Sequence, residues 1–153
     1  MCSSDLGFRF ALAPVQHVIL DKTLVAWTTL ENLGQRGGGV LSIENPRNEF
    51  DGIVFGEAVP FRWTIGSDWG KRWCPTPERV ALEDSKPSQM VQIAIVYSGS
   101  SIALYRNGVE SVRYEKGVPV PYCIADTNVL LGTRHIPVPG NGLFAGEIGR
   151  AHF

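Results

Sequence analysis

The stretch Arg62-Trp-Thr-Ile-Gly-Ser-Asp-Trp-Gly-Lys-Arg-Trp73 packs three tryptophans and three cationic residues into twelve positions. An indole face lies flat against the apolar face of a sugar ring, while Arg and Asp hydrogen-bond hydroxyls in fixed geometry. Asp68, Trp69, Arg72 and Trp73 fall in a segment that reads as loop, where binding residues concentrate. For Trp69 and Trp73, ligand contact and packing beneath a long loop both stay open. Trp63 alternates with Phe61 and Ile65 and is assigned to the core. Arg134 and His135 directly follow Val129-Leu-Leu-Gly-Thr133. Arg134 either lines a binding site with Asp68 or bridges at a strand end to Asp51 or Asp68, leaving His135 exposed.

A second cluster is Glu49-Phe-Asp-Gly-Ile-Val-Phe-Gly-Glu57. On one strand, Glu49, Asp51, Ile53, Phe55 and Glu57 share a face. Retaining glycosidases need two carboxyl groups about 5–5.5 Å apart, and carboxylates two residues apart on a strand come near that. The third acid, however, falls six residues after Asp51, so no catalytic set is assigned. Asp51 and Glu57 instead pair with turn or backbone groups or face solvent. Asp51 is also a weak calcium candidate, since calcium needs several oxygen ligands whose convergence a sequence does not show. No other cofactor is implied. His17, His135 and His152 share no metal-ligand spacing, and His17 reads as structural. Cys2, Cys74 and Cys123 form no C-x-x-C pair, although Cys74 and Cys123 could join as a disulfide in an exported chain. Gly34–Gly39 resembles a phosphate loop only in composition. It lacks the Lys-Ser/Thr and lies between strands, so a turn explains its glycines.

These residues sit in a chain of 153 residues, 44% hydrophobic and 19% charged, with a formal net charge of −1. That is one globular domain with a real core. The absence of a basic block argues against nucleic acid. No apolar run approaches the roughly 20 residues that span a bilayer. Seventeen Gly and ten Pro point to many turns and an all-β class. Strands are expected within 17–31, where Leu24, Ala26 and Thr28 oppose Val25, Trp27 and Thr29. Others are expected over 40–44, 50–57, 61–67, 91–98, 101–115, 128–134 and 142–148. Asn107-Gly108 suits the tight turn of a hairpin. The longest irregular segment runs from Asp68 to Pro87. The pattern suggests a two-sheet antiparallel jelly-roll sandwich.

The order of segments carries a resemblance. Val91–Tyr97 leads into Leu104-Tyr-Arg-Asn-Gly108, followed by Val129-Leu-Leu-Gly-Thr-Arg134 and Gly142-Leu-Phe-Ala-Gly-Glu-Ile148. This resembles the laminin-G-like branch of the concanavalin A-like lectin/glucanase superfamily. Over Thr23–Ile148 it is similar to a bacterial subgroup found inside large cytochrome-bearing multidomain proteins. The resemblance implies a non-catalytic recognition module, carbohydrate-binding, in a larger exported protein outside the cytoplasm. Its partner would be a glycan or neighbouring domains of the same parent chain, with no membrane insertion. A structural spacer is the alternative, and a glucanase-type hydrolase a weaker one. The expected ligand-binding set is Asp68, Trp69, Arg72, Trp73, Arg134 and His135. The ends depart from the family. Met1–Leu6 and Ile148–His152 read as translations, in opposite orientations, of one oligonucleotide resembling a sequencing adapter. On that reading a single domain occupies 7–148, residues 1–6 and 148–153 are non-native, and the chain is a fragment of a longer one.

Overall fold

The computed structural model describes residues 8–11 and 17–153. Its strands are β1 (Phe8–Ala11), β2 (Val18–Ile19), β3 (Lys22–Leu30), β4 (Gly38–Glu44), β5 (Phe50–Phe55), β6 (Trp63–Ser67), β7 (Val91–Ser98), β8 (Ser101–Arg106), β9 (Val109–Glu115), β10 (Tyr122–Cys123), β11 (Asn128–Leu131) and β12 (Gly146–His152). Two five-stranded antiparallel sheets form, in the orders β1-β11-β4-β5-β6 and β12-β3-β7-β8-β9, with β2 and β10 as a separate ribbon. The chain is an all-β jelly-roll sandwich, as the turn-rich pattern suggested.

Alternation explains how the sheets meet. On β3, Leu24, Ala26 and Thr28 are fully buried, whereas Val25 and Trp27 are only partly so. On β7, Val91, Ile93, Ile95 and Tyr97 face the same core. Leu41 and Ile43, Ile53 and Phe55, and Trp63 and Ile65 meet them from the opposite sheet. Each such buried side chain contributes about 1.5–3 kcal/mol relative to exposure. Asn107 and Gly108 have φ of 49° and 79°, the left-handed pair that a type I′ turn requires.

Several boundaries differ from the sequence reading; β4 starts at Gly38, β6 starts at Trp63 and β11 ends at Leu131. The last strand is Gly146–His152, not 142–148. Residues 139–144 are taken up by a turn in which Gly142 N–H bonds Pro139 O and Phe144 N–H bonds Gly132 O. Ile148–His152 pair with β3 through a register shift around Gly149. β5 stops at Phe55 because Gly56 turns the chain at φ 71°, so Glu57 leaves the face expected for it. β1 and the β2–β10 ribbon are too short for periodicity to reveal. The adapter-like Met1–Leu6, with Cys2, lies outside the described residues. Cys74 and Cys123 are free thiols, not a disulfide. Among the described residues no helix is long and apolar enough to cross a membrane.

The irregular segment after β6 is pinned by one carboxylate. Glu83, 4% exposed, accepts from Trp63 Nε1 at 2.6 Å, from Arg106 Nε and NH2 at 2.9 and 2.7 Å, and from Ser85 N–H at 2.9 Å. Burial alone would push this carboxyl up. The Arg106, Trp63 and Ser85 donors outweigh burial and hold it down to about 2.

Candidate functional site

A cleft of about 400 Å³ opens on the outward face of the β4–β5 hairpin. Glu44 ends β4 and Phe50 begins β5, and the register pairs them directly, so both side chains stand on the same face. The turn at Asn48, the loop at Trp69, Gly70 and Trp73, and the segment Arg134–Pro139 complete the walls, with Glu57 at one side.

The loop at 68–73 presents Trp69 by an unusual backbone. Asp68, Trp69 and Gly70 have successive φ values of 41°, 52° and 84°. Left-handed geometry costs a non-glycine residue roughly 1–2 kcal/mol. Glycine serves at position 70, where a Cβ would meet the Trp73 ring at 3.3 Å. The turn closes through Lys71 N–H to Asp68 O and Trp73 N–H to Gly70 O. Trp69 emerges 62% exposed and stacks on the His135 ring, with centroids 4.6 Å apart and planes 12° from parallel. Phe50 meets His135 edge-on at 4.3 Å.

Arg72 anchors this loop from beneath. It was expected at the ligand surface, but it is 2% exposed and runs between the sheets. Its guanidinium lies 3.6 Å from the Asp51 carboxylate and 5.5 Å from the Tyr97 ring centroid. Its carbonyl accepts from Tyr114 OH at 2.8 Å. Asp68 is half-buried, salt-bridged to Lys71 at 3.4 Å, and does not line the cleft.

Asp51, fully buried, points inward like Ile53 and Phe55. Lys22 Nζ lies 2.7 Å from it, and Ser67 Oγ donates to it. Lys22 also sits over the rings of Tyr97 and Tyr122 at 4.7 and 4.6 Å. Burial lowers the Lys22 pKa against the opposing pull of Asp51. A calcium ion at Asp51 would meet two like charges in place of further oxygen ligands. Glu49 turns away to bond Asn45 and Arg47. The acidic stripe therefore does not face one surface. Among the described residues no group of three or more His, Cys, Asp or Glu side chains could hold a metal ion.

Arg134 bridges neither Asp51 nor Asp68. Its NH1 bonds Glu57 Oε1 and its NH2 bonds Asn141 Oδ1 at 2.8 Å. Burial pushes the Glu57 carboxyl up, opposed by Arg134. His135, expected to be exposed, is 7% exposed. Its Nδ1 lies 2.6 Å from Glu44 Oε1, and Glu44 Oε2 accepts the Ile136 N–H at 3.2 Å. Glu44 thus orients the imidazole through Nδ1 and holds the segment that follows it through the Ile136 N–H. Trp73 Nε1, Glu57 Oε2 and Arg134 Nε are buried without a hydrogen-bond partner among the described residues. The cleft thus offers an exposed aromatic face, with these polar atoms buried in the side chains of its walls.

Of the six expected residues, Trp69, Trp73, Arg134 and His135 converge here, while Asp68 and Arg72 do not. Glu44, Phe50 and Glu57 were missed as site residues. The turn at 45–48 was a usable signal for Glu44 and Phe50, because a hairpin brings its flanking residues together. The His17 side chain is exposed, and its carbonyl accepts from Ile124 N–H.

No family model matches the chain, and no curated protein does. Solved structures do. Domain 4 of AbnA, a GH43 extracellular arabinanase from Geobacillus stearothermophilus in complex with arabinotriose, is 18% identical at a TM-score of 0.59, over 92% of this chain and 64% of that one. Domains LG4-5 of the mouse laminin alpha1 chain are 17% identical at 0.57, over 96% of this chain and 40% of that one. A heptameric SAP-like pentraxin from Limulus polyphemus is 14% identical at 0.56, over 95% and 68%. The chain thus spans less than two thirds of the first two. Likeness at this level of identity concerns the backbone alone, and by its backbone this chain has the concanavalin A-like jelly-roll fold.

Proposed function

We propose that this chain is a non-catalytic recognition module that binds carbohydrate in the cleft beside Trp69. It would occupy residues 7–148 of a larger bacterial protein acting outside the cytoplasm. The observation that carries the reading is the Trp69–His135 stack, which fixes a largely exposed indole over a cleft lined by Phe50, Glu57, Trp73 and Arg134. A fixed aromatic platform with a few convergent polar atoms suits a pyranose or furanose ring. The arabinotriose complex of the structurally similar arabinanase domain adds support for a sugar ligand. A hydrolase reading would need two available carboxyls, whereas Glu44 and Glu57 are engaged with His135 and Arg134. No calcium enters the proposal.

A second reading, a spacer contacting neighbouring domains of the parent, is favoured by the apolar rim of Trp69, Ile136 and Val138, exposed by 62%, 38% and 45%. Isothermal titration of the chain with a panel of oligosaccharides, arabinotriose included, separates the two. Saturable binding that is lost in Trp69→Ala supports the sugar site. Silence across the panel, with tight association to a flanking domain, supports the spacer.

A further inference from the structure

Burial sorts the lining of the cleft into two groups. Its charged residues are withdrawn into the walls and committed there. Glu44, buried, has one oxygen 2.6 Å from His135 Nδ1 and accepts the Ile136 N–H with the other. Arg134 is spent on Glu57 and Asn141. Glu57 Oε2 and Arg134 Nε are closed off from solvent. Arg47 and Lys71 stand outside the lining, paired with Glu49 and Asp68. The exposed residues of the lining are Asn48, Trp69, Ile136 and Pro137, all uncharged. Asn48 is the polar one. It closes the β4–β5 turn at φ 60°, with its N–H bonded to Asn45 O at 2.9 Å, a left-handed backbone that Asn adopts more readily than most residues. Its carboxamide offers both donors and an acceptor, the two functions that a sugar hydroxyl needs. A charged substituent entering this cleft would give up hydration and find no free counter-charge.

We infer that the glycan selected by this cleft is uncharged, with a sugar ring against Trp69 and a hydroxyl held by the Asn48 carboxamide. The inference rests on the carbohydrate-binding reading above. It adds a ligand class, set by which groups the walls expose, and a specificity-determining residue in the turn at 45–48.

The experiment is isothermal titration of the full chain with arabinotetraose, cellotetraose, a galacturonate tetramer and a glucosamine tetramer. Slightly acidic pH keeps the uronate ionised and the glucosamine protonated. The expected result is that a neutral oligomer binds at least roughly tenfold tighter than either charged one, with the same affinity at low and high salt. Equal or tighter binding of a charged oligomer overturns the uncharged class and leaves the sugar site standing. No binding by any of the oligomers overturns both. In Asn48→Gly, glycine keeps the left-handed backbone of the turn and removes only the carboxamide. With native circular dichroism retained, its affinity for the neutral oligomer should fall roughly two- to tenfold. An unchanged affinity overturns the role given to Asn48.

Discussion

Trp69 does little to hold the fold together, because most of its surface is already in water. Trp69→Ala should therefore remove sugar binding while changing stability by less than about 1 kcal/mol, as surface substitutions usually do. Titration beside a thermal melt checks this, and a large fall in Tm would show that the indole is a packing element. Glu83 is the opposite case. Its pKa falls from 4.5 to about 2 on folding, so its contribution is fully present above the unfolded value. It is lost as pH drops from about 5 through 2. With Arg106 partly exposed, that contribution is about 2 kcal/mol. Urea midpoints across this range should decline in the native protein and decline less in Glu83→Gln.

At the level of elements, the cleft depends on how closely the segment after β11 lies over the start of β4. Gly39 N–H bonds Gly142 O, and Gly132 N–H bonds Val40 O. A Cβ on Gly39 would come within 2.5 Å of the Arg134 backbone nitrogen and 2.6 Å of the Thr133 carbonyl carbon. Backbone cannot yield as a flexible side-chain end can. Gly39→Ala should cost roughly 1–3 kcal/mol and shift Arg134 and His135, so ligand affinity should fall even where the protein remains folded. Chemical denaturation and titration on one preparation test both effects. Unchanged affinity would mean that the 133–135 segment is not positioned by this contact. Sequence patterning located the longer strands, because runs of β-branched and apolar residues between turn residues are a local signal. It misplaced the last strand because the turn at 139–144 is held by a bond to Gly132, which no local pattern encodes.

Across the whole molecule, Asp51, Lys22 and Arg72 form a charged knot between the sheets, joining β5, β3 and the loop that carries Trp69. Asp51→Ala would leave two cations in the core without their counter-charge and should cost about 3–5 kcal/mol. The urea midpoint should move down at unchanged m-value. Replacing all three residues with apolar side chains of similar volume should restore much of the loss. If Asp51→Ala unfolds no more easily than the native chain, the knot is not what ties that loop to the core.

The sequence by itself determined the all-β class, the two opposed faces of β3, the core placement of Trp63 on β6, and the Asn107-Gly108 hairpin. Those depend on alternation and on backbone conformations that a few residue types prefer. It also marked Trp69, Trp73, Arg134 and His135 as chemically capable. Only the tertiary structure decided which of them meet, and with whom. Glu44 and His135 lie 91 residues apart, and Arg134 and Glu57 lie 77 apart. Arg72 and Trp73 are neighbours in the chain, yet one is buried against Asp51 and the other lines the cleft. Pairing over such separations follows from how two sheets stack and how loops cross their ends, and neighbouring residues carry no trace of it.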